Sequence, residues 1–238
     1  MKNIDDCIKA IAFDADDTLW DSQTHFVGVE NEYCRLLADY GDRDVISAAL
    51  FSVETANMDD LGYGCKAFTI SLVENAVKVS GGRVPAAVIG RIVELGKSLL
   101  HLDAKPLDGV EETLRTLRHI TTNGTNRRFK LAVFTKGELQ DQENKLRRSG
   151  LAPLFDHVQI VSDKTPEAYR HLCRALQVSA RELLMVGNSF KSDIAPALEI
   201  GAHAAYVPFH TTWAHEKTDE YAHPQLLRIA SLRELLEC

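Results

Sequence analysis

The segment Phe13–Thr18, with the sequence FDADDT, decides how the rest of the chain is interpreted. It completes the apolar run Ile8–Phe13, which is typical of a short buried strand. A carboxylate placed directly after such a strand lies at its carboxyl end, where open α/β sheets bind their ligands. Asp14 and Asp16 are therefore the first candidates for residues of a reactive site.

Three later segments repeat this arrangement of an apolar run that leads into polar residues. They are FTKG at Phe134–Gly137, SDKTP at Ser162–Pro166 and VGNSFKSD at Val186–Asp193. If the preceding runs are neighbouring strands, all four segments meet at one edge of one sheet.

Five short apolar runs are predicted to be strands, and helical patterns separate them. The runs are Ile8–Phe13, Phe129–Phe134, His157–Val161, Leu183–Val186 and Ala204–Val207. Strands that alternate with helices predict an α/β fold with a doubly wound parallel sheet and right-handed crossovers.

Several helix starts can also be predicted from capping residues. Asp108 is predicted to cap a helix over Val110–Arg118. Ser179 and Glu182 have the spacing of a capping box, and Thr165 precedes a first-turn proline.

The segment between the first predicted strand and the second has a different pattern. It contains no clear strand, and its apolar residues keep helical spacing, as in Phe26, Val29, Tyr33 and Leu37. The chain is therefore expected to form an α/β core from residues 1–20 and 105–238, with an all-helical domain inserted at residues 21–104.

The four segments, in this order, resemble the motifs of the haloacid dehalogenase superfamily of hydrolases, most of which are magnesium-dependent phosphatases. The stretch 14–18, DADDT, fits the DxDxT motif of that family. Thr135 fits the second motif and Lys164 the third. Residues 187–193 fit the fourth, although Asn188 stands where many members have aspartate.

The resemblance covers residues 1–20 and 106–238 approximately, and it implies a role for each matching residue. Asp14 would be the nucleophile that forms an aspartyl-phosphate, and Asp16 the general acid and base. Thr135 and Lys164 would serve catalysis and bind the phosphoryl group. The inserted helices would form the cap domain of the family.

Further binding residues follow from the same motifs. Lys136 and Gly137 are candidate phosphate-binding residues, since a lysine adds charge and a glycine allows close approach of the backbone. Magnesium is the expected cofactor, because oxygen ligands suit this ion. Its candidate ligands are Asp14, Asp16 through the backbone carbonyl, Asn188 and Asp193.

Alternative functions remain open on the same core. A phosphomutase or a dehalogenase would share it, but dehalogenating members resemble the pattern without the second aspartate, so Asp16 favours phosphate chemistry. A receiver-like module that only accepts a phosphoryl group also uses aspartate, threonine and lysine around magnesium. Asn188 alone suggests a further possibility, an inactive binding relative.

Composition limits the classes of molecule that are expected to bind this protein. The formal net charge of −7 and the absence of a basic stripe argue against nucleic acid, so a small phosphorylated metabolite is the expected partner. Five cysteines without a CxxC pair suit reduced thiols, and no segment resembles a signal peptide or a membrane span, which favours a cytoplasmic protein. The oligomeric state is left open.

One cluster after the last predicted strand has no assigned role. It comprises His210, Trp213, His215 and Glu216. Their spacing matches no familiar pattern of zinc ligands, so a polar loop near the rim of the site is expected, with Trp213 packed inward.

Overall fold

The computed structural model describes residues 6–122, 124 and 126–237, and in these residues six parallel strands form one sheet. The strands in chain order are β1 (Ala10–Phe13), β2 (Thr121–Thr122), β3 (Asn126–Arg127), β4 (Lys130–Lys136), β5 (His157–Val161), β6 (Leu183–Gly187), β7 (His203–Tyr206) and β8 (Leu226–Arg228). The sheet order is β5-β4-β1-β6-β7-β8, while β2 and β3 form a separate antiparallel pair. The strand that precedes Asp14 therefore lies inside the sheet.

Helices separate most of these strands, and several helices follow β1 before the next strand begins. They are α1 (Gln23–Leu36), α2 (Arg43–Leu61), α3 (Cys65–Val79), α4 (Ala86–Ser98), α5 (Val110–His119), α6 (Leu139–Arg148), α7 (Pro166–Leu176), α8 (Ala195–Glu199) and α9 (Glu234–Glu237). The observed α/β architecture confirms the predicted fold class.

Both faces of the sheet are buried, as a parallel sheet with helices on its faces requires. On β1, Ile11 and Phe13 belong to an apolar cluster that includes residues of α5 and α6. Ala10 and Ala12 point to the opposite face and belong to a cluster with residues of α7 and α8. This alternation follows from the two-residue period of a strand, and it fixes the end of β1 between two packed layers.

The five predicted strands are confirmed, with ends that differ by up to two residues. β8 was not predicted, because Leu226–Arg228 offers only two apolar residues and lacks the pattern of a buried run. The predicted domain boundaries include residues 1–5, 123, 125 and 238, which lie outside the described residues.

Two of the three predicted helix caps are confirmed. The Thr165 side chain accepts a hydrogen bond from the Ala168 N–H at 3.2 Å, and Ser179 and Glu182 form a capping box. The prediction for Asp108 was wrong. The residue at the N-cap position of α5 is Gly109, which has a φ of 77°.

The chain divides into two compact units. The α/β unit comprises the described residues up to Gln23, Ala104–Lys136 and the residues from Gln142 onward. The helical unit comprises Thr24–Asp103 and the short segment Gly137–Asp141. Its core contains residues that the helical spacing identified, among them Val29, Tyr33 and Leu37. That this unit acts as a cap stays a prediction.

No helix within the described ranges is both long enough and apolar enough to cross a membrane.

Candidate active site

Asp14 lies at the carboxyl end of β1, where its backbone is held in the sheet. Its N–H donates to the Val186 carbonyl oxygen on the neighbouring strand at 2.9 Å. The residue is only 7% exposed. One carboxylate oxygen accepts a hydrogen bond from the Lys164 ammonium, and the other lies 3.5 Å from the Thr18 hydroxyl. The position suits a nucleophile that is screened from bulk water.

Lys164 is placed between two buried carboxylates. It follows β5 and precedes the N-cap of α7, and its side chain is 1% exposed. Its Nζ contacts Asp14 and lies 2.6 Å from the carboxylate of Asp193. Burial by itself would lower the pKa of this lysine, but the two carboxylates raise it above its ordinary value. Lys164 therefore remains an ammonium group at neutral pH.

Asp193 is fixed by the turn that follows β6. This turn, Phe190–Ile194, has π-helical hydrogen bonding, and the Tyr169 hydroxyl donates to the Asp193 carbonyl at 2.9 Å. The Ser189 N–H donates to the Asp193 carboxylate at 2.9 Å. A Cβ at Gly187 would lie 2.2 Å from that carboxylate, so only glycine fits there. The geometry makes Asp193 a partner of Lys164.

The charge state of Asp14 reflects its burial. Desolvation raises the pKa of Asp14 to about 7, although the Lys164 ammonium lowers it, and the nearby Asp193 carboxylate raises it further. A cation bound beside this carboxylate would favour its ionised form, which is the form that can attack.

Three oxygen atoms converge next to Asp14. The amide oxygen of Asn188 lies 3.2 Å from the second carboxylate oxygen of Asp14 and 3.1 Å from the backbone carbonyl of Asp16. The Thr18 hydroxyl donates to the same amide oxygen at 3.0 Å. Acceptors this close repel each other unless a donor or a cation lies among them. Rotation of the amide would supply a donor, and a magnesium ion would take all three as ligands.

This donor set fits a hard cation. It consists of one carboxylate, one amide and one backbone carbonyl, all of which are oxygen ligands. Within the described residues no three His, Cys, Asp or Glu side chains group as metal ligands. One carboxylate oxygen of Asp193 accepts a hydrogen bond from Lys164, and the other accepts one from the Ser189 N–H. Metal binding by Asp193 therefore stays a prediction.

The side chain of Asp16 points to a different set of partners. Lys145 donates to both of its carboxylate oxygens, at 2.8 and 2.7 Å. Gln142 donates at 2.8 Å and the Trp20 indole at 2.7 Å. Burial would raise the pKa of Asp16, but the Lys145 charge and these hydrogen bonds hold it below its usual value.

The residues of the second motif are placed at the end of β4. Thr135 is 2% exposed, and its hydroxyl is 3.5 Å from the Lys136 carbonyl, a long contact. The Lys136 ammonium donates to the Ser192 hydroxyl at 2.9 Å and contacts the Glu216 carboxylate. Gly137 has a φ of 137° and belongs to the helical unit. Phosphate binding by these three residues stays a prediction.

Glu216 is a central residue of a polar network that the sequence did not assign. It lies on the 3₁₀ turn Ala214–Glu216 and accepts hydrogen bonds from Lys136, from Ser189 and, at 2.6 Å, from Ser192. Burial would raise the pKa of Glu216, but the Lys136 charge and the hydroxyl donors lower it to about 2. The carboxylate therefore stays ionised and neutralises Lys136.

Of the other residues in the predicted polar loop, Trp213 and His215 are half-buried and His210 is exposed. The ring of Trp213 lies 4.6 Å from the ring of His215 in an edge-on contact. The sequence signal for Glu216 was its place in this cluster after β7, but nothing in the spacing identified Lys136 as its partner.

Four further residues of the site were missed. They are Thr18, Trp20, Gln142 and Lys145. Thr18 lies in the DxDxT motif itself, and Trp20 is four residues beyond Asp16. Gln142 and Lys145 are three apart on α6, which begins soon after β4 ends, and helix residues three apart share a face. That position was the available signal.

Asp17 stabilises the backbone that follows the motif. It adopts a positive φ of 63°, and its carboxylate accepts hydrogen bonds from the N–H groups of Ser22 and Gln23, both at 2.8 Å. These are the first residues on the way into α1. Asp17 therefore shapes the connection between the motif and the inserted segment.

The chain is similar to known proteins over most of its length. A family profile of haloacid dehalogenase-like hydrolases matches residues 8–201. A curated glyceraldehyde 3-phosphate phosphatase from Methanocaldococcus jannaschii is 28% identical over 239 residues, which cover 97% of this chain and 96% of that protein.

Solved structures give the same result. A haloacid dehalogenase-like family hydrolase from Xanthomonas campestris is 30% identical, with a TM-score of 0.84, over 95% of this chain and 88% of its own. A 2-haloacid dehalogenase from Pseudomonas syringae is 23% identical, with a TM-score of 0.63, over 97% of each chain, and it shows the shared fold alone.

Proposed function

The chain belongs to the haloacid dehalogenase-like hydrolases, and on this premise we propose that it is a magnesium-dependent phosphatase acting on small phosphorylated metabolites. The observation that carries the proposal is the placement of Asp14. One of its carboxylate oxygens is held by Lys164, and the other lies among the oxygen atoms of Asn188 and Asp16. A nucleophile, a fixed positive charge and a set of hard ligands thus meet at one strand end.

In the first step, Asp14 attacks the phosphorus of a phosphomonoester. A bond forms between a carboxylate oxygen and phosphorus, the bond to the leaving oxygen breaks, and an aspartyl-phosphate results. Lys164 lies next to the attacking group and offsets negative charge on the phosphoryl oxygens. Asp16, which its lowered pKa leaves ionised in the free protein, first takes up a proton from water and then gives it to the leaving oxygen.

In the second step, water attacks the phosphorus of the aspartyl-phosphate. Asp16, which lost its proton in the first step, accepts a proton from this water. The bond between phosphorus and Asp14 breaks, so inorganic phosphate leaves and the carboxylate is restored. Division of hydrolysis into two steps lets one buried carboxylate serve repeatedly.

Magnesium would be held by Asp14, the Asp16 carbonyl and Asn188. The chemistry it would supply is neutralisation of negative charge on the substrate and on Asp14. Asn188 contributes no charge to this site, in contrast to the aspartate that the motif has in many members.

The relative from Methanocaldococcus jannaschii makes small sugar phosphates the first substrates to test. We propose that the helical unit, as a cap, selects among them. Between Thr24 and Asp103 its buried polar residues are neutral, and Asn75 donates to the Tyr33 hydroxyl at 2.8 Å.

The test is a screen of phosphorylated metabolites with magnesium, with Asp14→Asn as the blank. We expect phosphate release by the natural protein, complete loss with chelator and no release by the blank. A 2-haloacid belongs in the same screen. Halide release without phosphate release would replace the proposal with dehalogenation, and equal phosphate release by the blank would exclude Asp14 as the nucleophile.

A further inference from the structure

We infer that Lys145 and Gln142 are positioning residues for Asp16, which hold its carboxyl group where it exchanges protons with the leaving oxygen and with water. The inference rests on the proposed function, since that function gives Asp16 the acid and base role. Neither residue lies in the four motifs that identify the site.

Lys145 is a buried lysine that contacts the carboxylate of Asp16. It is 2% exposed, and its Nζ lies 2.8 and 2.7 Å from the two carboxylate oxygens of Asp16. A lysine is rarely buried this fully unless it is paired, because loss of water around the ammonium is costly. Because Nζ contacts both oxygens, it holds the carboxyl group of Asp16 toward α6.

Gln142 adds a second constraint from the same helix. It is 4% exposed, and its amide nitrogen donates to Asp16 at 2.8 Å and to the Lys136 carbonyl at 3.1 Å. These two acceptors determine which way the amide faces. Its buried amide oxygen consequently has no hydrogen-bond partner in the described part of the chain. Such an unpaired group is unfavourable and calls for an explanation, which the requirement to hold Asp16 supplies.

The remaining contact comes from the motif side. The Trp20 indole donates to Asp16 at 2.7 Å, and Trp20 is 1% exposed. Asp16 therefore receives donors from its own loop and from α6, and a shift of α6 would move its carboxyl group. Correct placement is what a general acid and base needs, since proton transfer requires hydrogen-bond distance.

A pair of aryl phosphates tests the inference. Phenyl phosphate depends more on a proton from Asp16 than p-nitrophenyl phosphate, whose leaving group is the weaker base. We expect Lys145→Met to lower kcat on phenyl phosphate by about tenfold or more, and on p-nitrophenyl phosphate by clearly less. Gln142→Leu should show the same split at a smaller size, and Lys145→Arg should restore part of the loss.

A double variant separates positioning from general damage. If Lys145 acts through Asp16, then Asp16→Asn combined with Lys145→Met should be no slower than Asp16→Asn alone. A merely structural role would multiply the two losses. Lys130→Met is the matched control, because Lys130 is a partly buried lysine on β4 that donates to the Leu176 carbonyl at 2.6 Å.

Each outcome bears on a separate claim. Equal losses on both aryl phosphates, or multiplied losses in the double variant, would overturn the inference while the proposed function stands. Absence of turnover in the natural protein would overturn the proposed function and the inference together. Where Lys145→Met fails to fold, as thermal melting would show, Gln142→Leu and Lys145→Arg carry the same comparison.

Discussion

The α/β unit and the helical unit bury different kinds of polar residues. The α/β unit encloses charged side chains close to the strand ends, namely Asp14, Lys145, Lys164 and Asp193. The part of the helical unit between Thr24 and Asp103 encloses the neutral residues Ser71, Asn75 and Ser80. The short segment Gly137–Asp141 adds one buried carboxylate, Asp141.

This difference indicates where the chemistry lies. Buried ion pairs contribute little net stability, because desolvation offsets most of their attraction, whereas apolar residues of the same size pack without that cost. A unit that nevertheless encloses two lysines and several carboxylates is built for reaction. Between Thr24 and Asp103 the helical unit has an apolar core with a few neutral polar groups, so variants there should affect stability more than turnover.

Removal of Lys164 should have the largest effect among the variants that distinguish the α/β unit from the helical unit. Lys164→Met leaves Asp14 and Asp193 buried without their cation. We expect kcat/KM to fall by about a thousandfold, by analogy with loss of a transition-state donor, and stability to fall by about 3–5 kcal/mol. Steady-state kinetics and urea denaturation would measure both.

The control for that variant lies in the helical unit. Lys97→Met removes an exposed lysine that pairs with Glu94. It should change neither quantity appreciably, since exposed pairs contribute about 0–1 kcal/mol. Similar losses in the two variants would contradict the distinction between the units.

Glu216→Gln should have the next largest effect, a fall of about tenfold in kcat/KM. The change removes the charge that neutralises Lys136, while the hydrogen bonds from Ser189 and Ser192 can persist. Glu220→Gln is the matched control in the same loop, because Glu220 pairs with Arg228 at 2.6 Å outside the site. A loss as large in Glu220→Gln would show that the loop, rather than the Lys136 partner, is responsible.

Asn188→Asp should tighten magnesium binding by about tenfold, because a carboxylate attracts a divalent ion more strongly than an amide does. Calorimetry measures this affinity directly, without reference to turnover. Asn144→Asp, an added carboxylate on α6, is the control and should leave the affinity unchanged. Unchanged affinity in Asn188→Asp would place the ion elsewhere.

The smallest effect on turnover should come from the core of the helical unit. Leu72 is fully buried there, and Leu72→Ala should cost about 2–5 kcal/mol of unfolding free energy. Under conditions where the protein is folded, kcat on p-nitrophenyl phosphate should remain close to that of the natural protein. Ile70→Ala, at a residue 49% exposed, controls for the helix itself. A large fall in kcat with Leu72→Ala would show that the core of the helical unit also determines turnover.

The sequence predicted the strands because each is a short apolar run that ends in polar residues. This pattern also placed Asp14, Lys164 and Asn188 correctly, shortly after β1, β5 and β6 of one sheet. β8 was not predicted, because Leu226–Arg228 lacks the apolar pattern of a strand and forms one by pairing with β7.

The partners of the predicted residues were harder to find. Lys145 and Gln142 are polar residues on a helix, and in sequence they look like residues of a solvated face. Only the tertiary structure shows that this face is turned toward Asp16. The Asp108 cap failed for a similar reason, since the carboxylate of Asp108 pairs with Arg233, 125 residues away.

The most direct test of the central claim is the identity of the phosphorylated residue during turnover. Rapid quenching of the reaction with p-nitrophenyl phosphate, followed by peptide mapping, should place the phosphoryl group on the peptide that contains Asp14. The same experiment on Asp14→Asn should give no such peptide. A phosphoryl group on any other residue would contradict the account.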